Sequence, residues 1–129
     1  METAAWIFDE NLDAEFLYAL YGNDTAHALM VFNDFLKSTP EMMKEIEESY
    51  QKGEVENFRQ KVHKVKPVFS FVGLTPITHK AEVLEQRCKQ AYSIDELKSM
   101  YEELKYDYQK NISIVRNEVA RLENQKSTL

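Results

Sequence analysis

The sequence predicts an all-α protein, an antiparallel four-helix bundle with a short extra helix at its N-terminus. Three observations carry this expectation. The 129 residues include only 3 Gly and 3 Pro, fewer turn formers than a β-rich fold needs. Apolar residues recur at spacings of three and four through most of the chain, the period of one helix face. The segments with this period are separated by short stretches carrying caps, and short connections between amphipathic helices favour antiparallel neighbours. A single domain is expected over 1–129, with the bundle core at about 24–122.

In the first segment, "FDENLDAEFLYALYG", Leu12, Phe16 and Leu20 fall four apart and predict a short amphipathic helix ending near Gly22. Asp24 caps the next segment, where Ala28, Val31, Phe32 and Phe35 share a face. In "STPEMMKEIEESYQKG", Thr39 reads as an N-cap with Pro40 at the first helical position, Met43, Ile46 and Tyr50 as the apolar stripe and Gly53 as the end. These two segments are either separate helices or one long helix bent at Pro40. A helix from about Glu54 to Val72 carries the seam Val55, Phe58, Val62, Val65, Phe69 and Val72, a bundle-type spacing, and Gly73 stops it. Thr75 as cap and Pro76 at the first position restart the chain, with Ile77, Ala81, Leu84, Cys88 and Ala91 as the seam. Ser93 and Glu96 form a capping box. The last helix then carries Leu97, Tyr101, Leu104, Tyr108, Ile112, Val115, Val119 and Leu122. At 1.5 Å per residue, ~30 residues span roughly 45 Å, so its end is expected to project beyond the bundle.

Composition excludes several functions. A net charge of −6 and a pI near 5.1 argue against general nucleic-acid binding. One cysteine forms no intramolecular disulfide, which suits a reducing compartment. The start "METAAWIFDE" is not a signal peptide, and no apolar run approaches the ~20 residues that span a bilayer. The cytoplasm is the expected location, and the chain reads as free-standing. No Gly-rich loop precedes a helix with Lys and Ser/Thr, so there is no nucleotide-binding signature. His79 and Cys88 lie nine residues apart in one predicted helix, too few ligands for a metal site. His27 reads as structural or merely exposed.

The stretch "VHKVKPVFSFVGL" stands apart. At 100° per residue, His63 falls roughly 125° from the seam and should be exposed. Arg59, Lys66, Pro67 and Ser70 lie on the same side within two turns, with Glu56 below. A basic run is ordinarily a solvated face, and plain solvation is the preferred reading for Lys64. Yet four cations in eight residues of an acidic chain create a local positive field suited to a phosphoryl group or an acidic partner. Pro67 inside the helix costs ~3 kcal/mol or more, through a lost hydrogen bond and a clash with the carbonyl four residues back, and that residue is His63. A bend is expected on the histidine's own turn, with proline keeping the surface above the ring low and rigid. Phe71 leaves the seam, facing either solvent or a flanking helix.

The order His63, Lys64, Val65, Lys66, then Pro67 and Ser70, with Gly73 ten residues after the histidine, resembles the histidine-containing phosphotransfer (HPt) domain of multistep two-component relays. That family carries His-x-(apolar)-Lys-Gly, then small residues, then a glycine near the helix end. The resemblance covers most of the chain, including "FNDFLKSTPEMMKEIEESY" and "HKAEVLEQRCK". Here Pro67 stands where the family usually has glycine, and the bulky Val68 and Phe69 stand where small residues are common. Those departures bear on the docking geometry and leave the nucleophile in place.

The resemblance implies a phosphohistidine carrier. His63 would take a phosphoryl group from the phospho-aspartate of a receiver domain, through Nε2, and pass it on; histidine, with a reference pKa near 6.5, offers a mostly neutral ring for such covalent work. Lys66 is the expected cation at the phosphoryl oxygens, Arg59 a weaker one and Ser70 a hydrogen-bond donor, since this transfer needs positioning and charge stabilisation. Pro67 and Gly73 shape the site. Lys64 and Phe71, with the first helix, form the partner surface. The implied partners are receiver domains of a hybrid sensor kinase, a response regulator or both. No cofactor is expected on this chain, with Mg²⁺ held by the receiver, no kinase activity, and a monomeric state. The alternative is a helical-bundle adaptor that binds a signalling partner without accepting phosphate, a reading that Pro67 keeps open.

Overall fold

The computed structural model describes residues 6–127; residues 1–5 and 128–129 of the expected domain lie outside the described residues. Five α-helices follow one another: α1 (Ala14–Tyr21), α2 (Thr25–Gln51), α3 (Val55–Phe71), α4 (Thr75–Cys88) and α5 (Lys98–Ser127), the last preceded by a 3₁₀ turn at Ile94–Leu97. Among the described residues there is no strand. Pairs across the helices run in opposite senses: Lys61–Glu45 and Tyr50–Phe58 between α2 and α3, His63–Glu85 and Lys66–Glu82 between α3 and α4. Lys80–Asp107 joins α4 to α5, while Thr39–Tyr108 and Lys105–Glu47 join α2 to α5. The four long helices therefore form an up-down-up-down antiparallel bundle, with α1 as the short extra helix.

The α3 seam is buried as expected from Phe58 to Val72, with Val55 partly so, and Ile77, Ala81, Leu84 and Cys88 of α4 face it. Asp24 caps α2, accepting from His27 N at 3.0 Å. The capping box of Ser93 and Glu96 is present, though it opens the 3₁₀ turn, and α5 begins at Lys98.

Of the two alternatives at Pro40, the single helix is the one formed, α2 being continuous through it. Four expectations are corrected. First, Thr39 is not an N-cap: its hydroxyl donates to the Phe35 carbonyl at 2.7 Å and meets Tyr108 Oη at 2.9 Å, so it serves the core between α2 and α5. Second, Leu74 rather than Thr75 occupies the cap position of α4, with Pro76 one place further into the helix than expected, because the Thr75 hydroxyl donates instead to Asp13 Oδ2 at 2.8 Å. Third, α1 buries Leu17 and Tyr21, while Phe16 and Leu20 remain exposed. The cause is Gly73. Its φ is +77° and an added Cβ would lie 2.7 Å from Leu17 Cδ1, so the missing side chain is the socket for Leu17. The Gly73 carbonyl also accepts from Asp13 N at 2.9 Å, tying α1 to the end of α3.

Fourth, the far end of α5 is covered. The segment before α1 lies against it: Phe8 is buried and stacks on Phe32 at 6.0 Å. Glu118, fully buried, accepts from Asp9 N at 2.7 Å and pairs with Arg121. Arg121 in turn donates to the Ile7 carbonyl at 2.9 Å and lies over the Trp6 ring. Acidic and short, this segment gives no helical period to reveal it.

Candidate functional site

The site lies on the outer face of α3, where α4 packs beside it. The α3 seam turns Phe58, Val62, Val65 and Phe69 inward, and His63 consequently faces outward with its side chain 65% exposed. Its Nδ1 lies 2.7 Å from Glu85 Oε1. Glu85 is almost fully buried, its side chain 5% exposed. Its second oxygen, Oε2, accepts from Lys66 Nζ at 2.9 Å, and Arg59 Nη1 stands 3.8 Å from Oε1. Burial works against the Glu85 charge, but the hydrogen bonds from Lys66 and His63 together outweigh it and hold the carboxyl below its usual range. An ionised carboxylate only accepts hydrogen bonds, so the proton of a neutral imidazole sits on Nδ1 and the lone pair on Nε2. Among the described residues no group engages Nε2.

The expected positive field is not what the fold builds. Lys66 is paired with both Glu82 and Glu85, which raise its pKa, Glu82 first. Arg59 is bonded to Glu56 at 2.6 and 3.0 Å, and Lys61 stands 3.5 Å from Glu45. Of the four cations in the run, Lys64 alone has no carboxylate partner among the described residues, and it is exposed as expected. The carboxylates come from three helices, Glu45 of α2, Glu56 of α3 and Glu82 and Glu85 of α4, and those of α2 and α4 are remote from the run in sequence.

Pro67 lies exposed within α3, which continues through it. Lacking an N–H, it offers none to the His63 carbonyl. Ser70 is half-buried and lines an open groove with Lys66, Pro67, Thr78, His79 and Glu82. Phe71 is 44% exposed, while its carbonyl accepts from Tyr21 Oη at 2.7 Å. Gly73 is buried and does its work through α1, away from the ring. The structure thus brings His63, Lys66 and Arg59 together around Glu85, a residue the sequence reading did not single out. A signal existed: Glu85 lies four after Ala81 and three before Cys88, a carboxylate on the apolar side of α4. Among the described residues no group of three or more His, Cys, Asp or Glu is arranged to hold a metal ion, and no helix is long and apolar enough to cross a membrane.

The family model of the Hpt domain matches residues 30–125. The chain belongs to the Hpt domain family. Hpt domains are phosphotransfer carriers of phosphorelays, and that is the role of this chain; receiver domains of relay kinases and regulators are the partners the family implies. Among solved structures, the HPt domain of the Hpt sensor hybrid histidine kinase from Shewanella superposes with a TM-score of 0.62 at 17% identity. The likeness covers 92% of this chain and 96% of that one, and it extends to the fold. Comparison with curated proteins gave no significant match. Within the Hpt domain fold, α3 and α4 are thus the helices that carry the exposed imidazole and its buried carboxylate.

Proposed function

We propose that His63 is the phosphoacceptor of this Hpt domain and relays a phosphoryl group between receiver-domain aspartates. The observation that carries the reading is the pairing of an exposed imidazole with a buried carboxylate on Nδ1, at 2.7 Å. Glu85 holds the tautomer in which Nε2 is the free nucleophile and fixes the ring plane, as an orienting carboxylate does for a histidine base. As the Nε2–P bond forms, the P–O bond to the donor aspartate breaks and its electron pair leaves on that carboxylate. The ring becomes cationic, and Glu85 stabilises the charge through the Nδ1 proton, which need not move. The reverse steps discharge the group to the next aspartate.

Lys66 and Arg59 stand near Glu85 and are, in this reading, the cations that turn from their carboxylates toward the incoming phosphoryl oxygens, with the half-buried Ser70 as hydroxyl donor. Mg²⁺ sits in the receiver's acidic pocket. Lys64 and Phe71, both exposed, with Phe16 and Leu20 of α1, form the surface that receives the partner. The chain works as a monomeric, stoichiometric intermediate in the cytoplasm, without kinase activity of its own. Incubation with a phosphorylated receiver and Mg²⁺ tests the reading: the wild type is expected to take up acid-labile, alkali-stable phosphate, and His63→Gln to take up none. A chain that binds receivers yet takes up no phosphate would be the adaptor instead.

A further inference from the structure

We propose that Glu82 governs how readily the phosphoryl group leaves His63, by competing for Lys66. The inference rests on His63 being the phosphoacceptor. An ammonium has three N–H donors, and Lys66 commits two, to Glu82 Oε2 and Glu85 Oε2. These two carboxylates differ in kind. Glu85 is buried and its other oxygen orients the imidazole, so its bond to Lys66 belongs to the permanent frame of the site. Glu82 is one turn earlier on α4 and half-exposed, its side chain 43% accessible. Its hydrogen-bond partners among the described residues are Lys66 and Gln86. It bonds neither to His63 nor to Arg59, so it reaches the phosphoryl chemistry through Lys66.

A phosphoryl group on Nε2 brings up to two negative charges beside a lysine already held by two carboxylates. The third donor of Lys66 is left for the phosphoryl oxygens, and the bond to Glu82 limits how far the ammonium turns toward them. Each increment of hold by Glu82 is an increment of stabilisation that phosphohistidine does not receive. The exchange equilibrium between receiver aspartate and histidine shifts toward the aspartate, and the histidine stays a donor rather than becoming a sink. No bond to Glu82 forms or breaks in the transfer, which makes it a positioning residue. Its exposed place on α4 leaves the core untouched by substitution.

The test is the equilibrium partition of label between a phospho-receiver and the full chain, with Mg²⁺, for wild type, Glu82→Gln, Lys66→Ala and the double variant. Glu82→Gln is expected to raise the ratio of phosphohistidine to phospho-aspartate about two- to fivefold, the size of a partly exposed ion pair, and to leave it nearly unchanged when Lys66 is already Ala. A purely structural role would move the melting temperature and not this ratio. An unchanged ratio for Glu82→Gln, or the same rise in the Lys66→Ala background, overturns the role of Glu82 and leaves His63 standing as acceptor. Absence of label on wild-type His63 overturns both.

Discussion

A histidine on a helix surface becomes a distinctive residue through what lies under it. His63 was legible in the sequence from the seam alone, because Val62 and Val65 turn inward and leave no other direction for it. Glu85 was not singled out, because the pairing joins residues 22 apart in sequence and depends on how α4 registers against α3. The consequence is measurable. Glu85→Gln keeps an acceptor for Nδ1 and removes the charge that balances the ring cation; transfer to the chain is expected to slow roughly tenfold, the low end for a charge-assisted hydrogen bond, with receiver affinity unchanged. Rapid-quench transfer kinetics beside a binding titration separate the two effects.

At the scale of elements, the glycine and the proline of the histidine helix have opposite roles. Gly73 combines a left-handed backbone with a close approach by Leu17. Gly73→Ala is therefore expected to cost about 2 kcal/mol, from the left-handed conformation and the collision together, read as a lowered denaturant midpoint. Pro67 costs stability where it stands. Pro67→Ala restores an N–H to the helix and is expected to stabilise the chain by about 1–3 kcal/mol, while slowing transfer or weakening receiver binding; a gain in stability with no change in either would leave Pro67 without a role at the site. Periodicity revealed both residues, and also revealed each long helix. It could not decide whether Pro40 divides α2, because a proline fits either a first turn or a packed helix interior, and the packing of this turn on α5, seen in the Thr39–Tyr108 contact, joins residues 69 apart in sequence. For the same reason α1 turned a different face inward than its own spacing suggested: a two-turn helix takes its orientation from its socket.

At the scale of the whole molecule, the two ends of the described chain meet. Arg121 neutralises the buried Glu118 that anchors Asp9 N. Arg121→Ala leaves that carboxylate with its charge uncompensated and is expected to cost about 3 kcal/mol, seen in thermal unfolding. Alkaline stability has a separate source. Burial pushes the Cys88 thiol up to about 11 and the Tyr21 hydroxyl up to about 12. Each group is neutral in the fold and ionises more easily when unfolded. Their contribution is therefore complete below the unfolded values, near 9 and 10, and is lost as pH rises through the folded ones. Cys88→Ala is expected to flatten the decline between about pH 9 and 11 in a pH series of melting curves.

Whether His63 carries the phosphoryl group is decided by a single labelling experiment. The chain and its His63→Gln variant are incubated with radiolabelled phospho-receivers and Mg²⁺, and the label is tested for acid and alkali stability and mapped to a residue. Acid-labile, alkali-stable label is expected on His63 of the wild type and none on the variant. Equal labelling of both proteins, or receiver binding by the wild type without any label, would contradict His63 as the carrier.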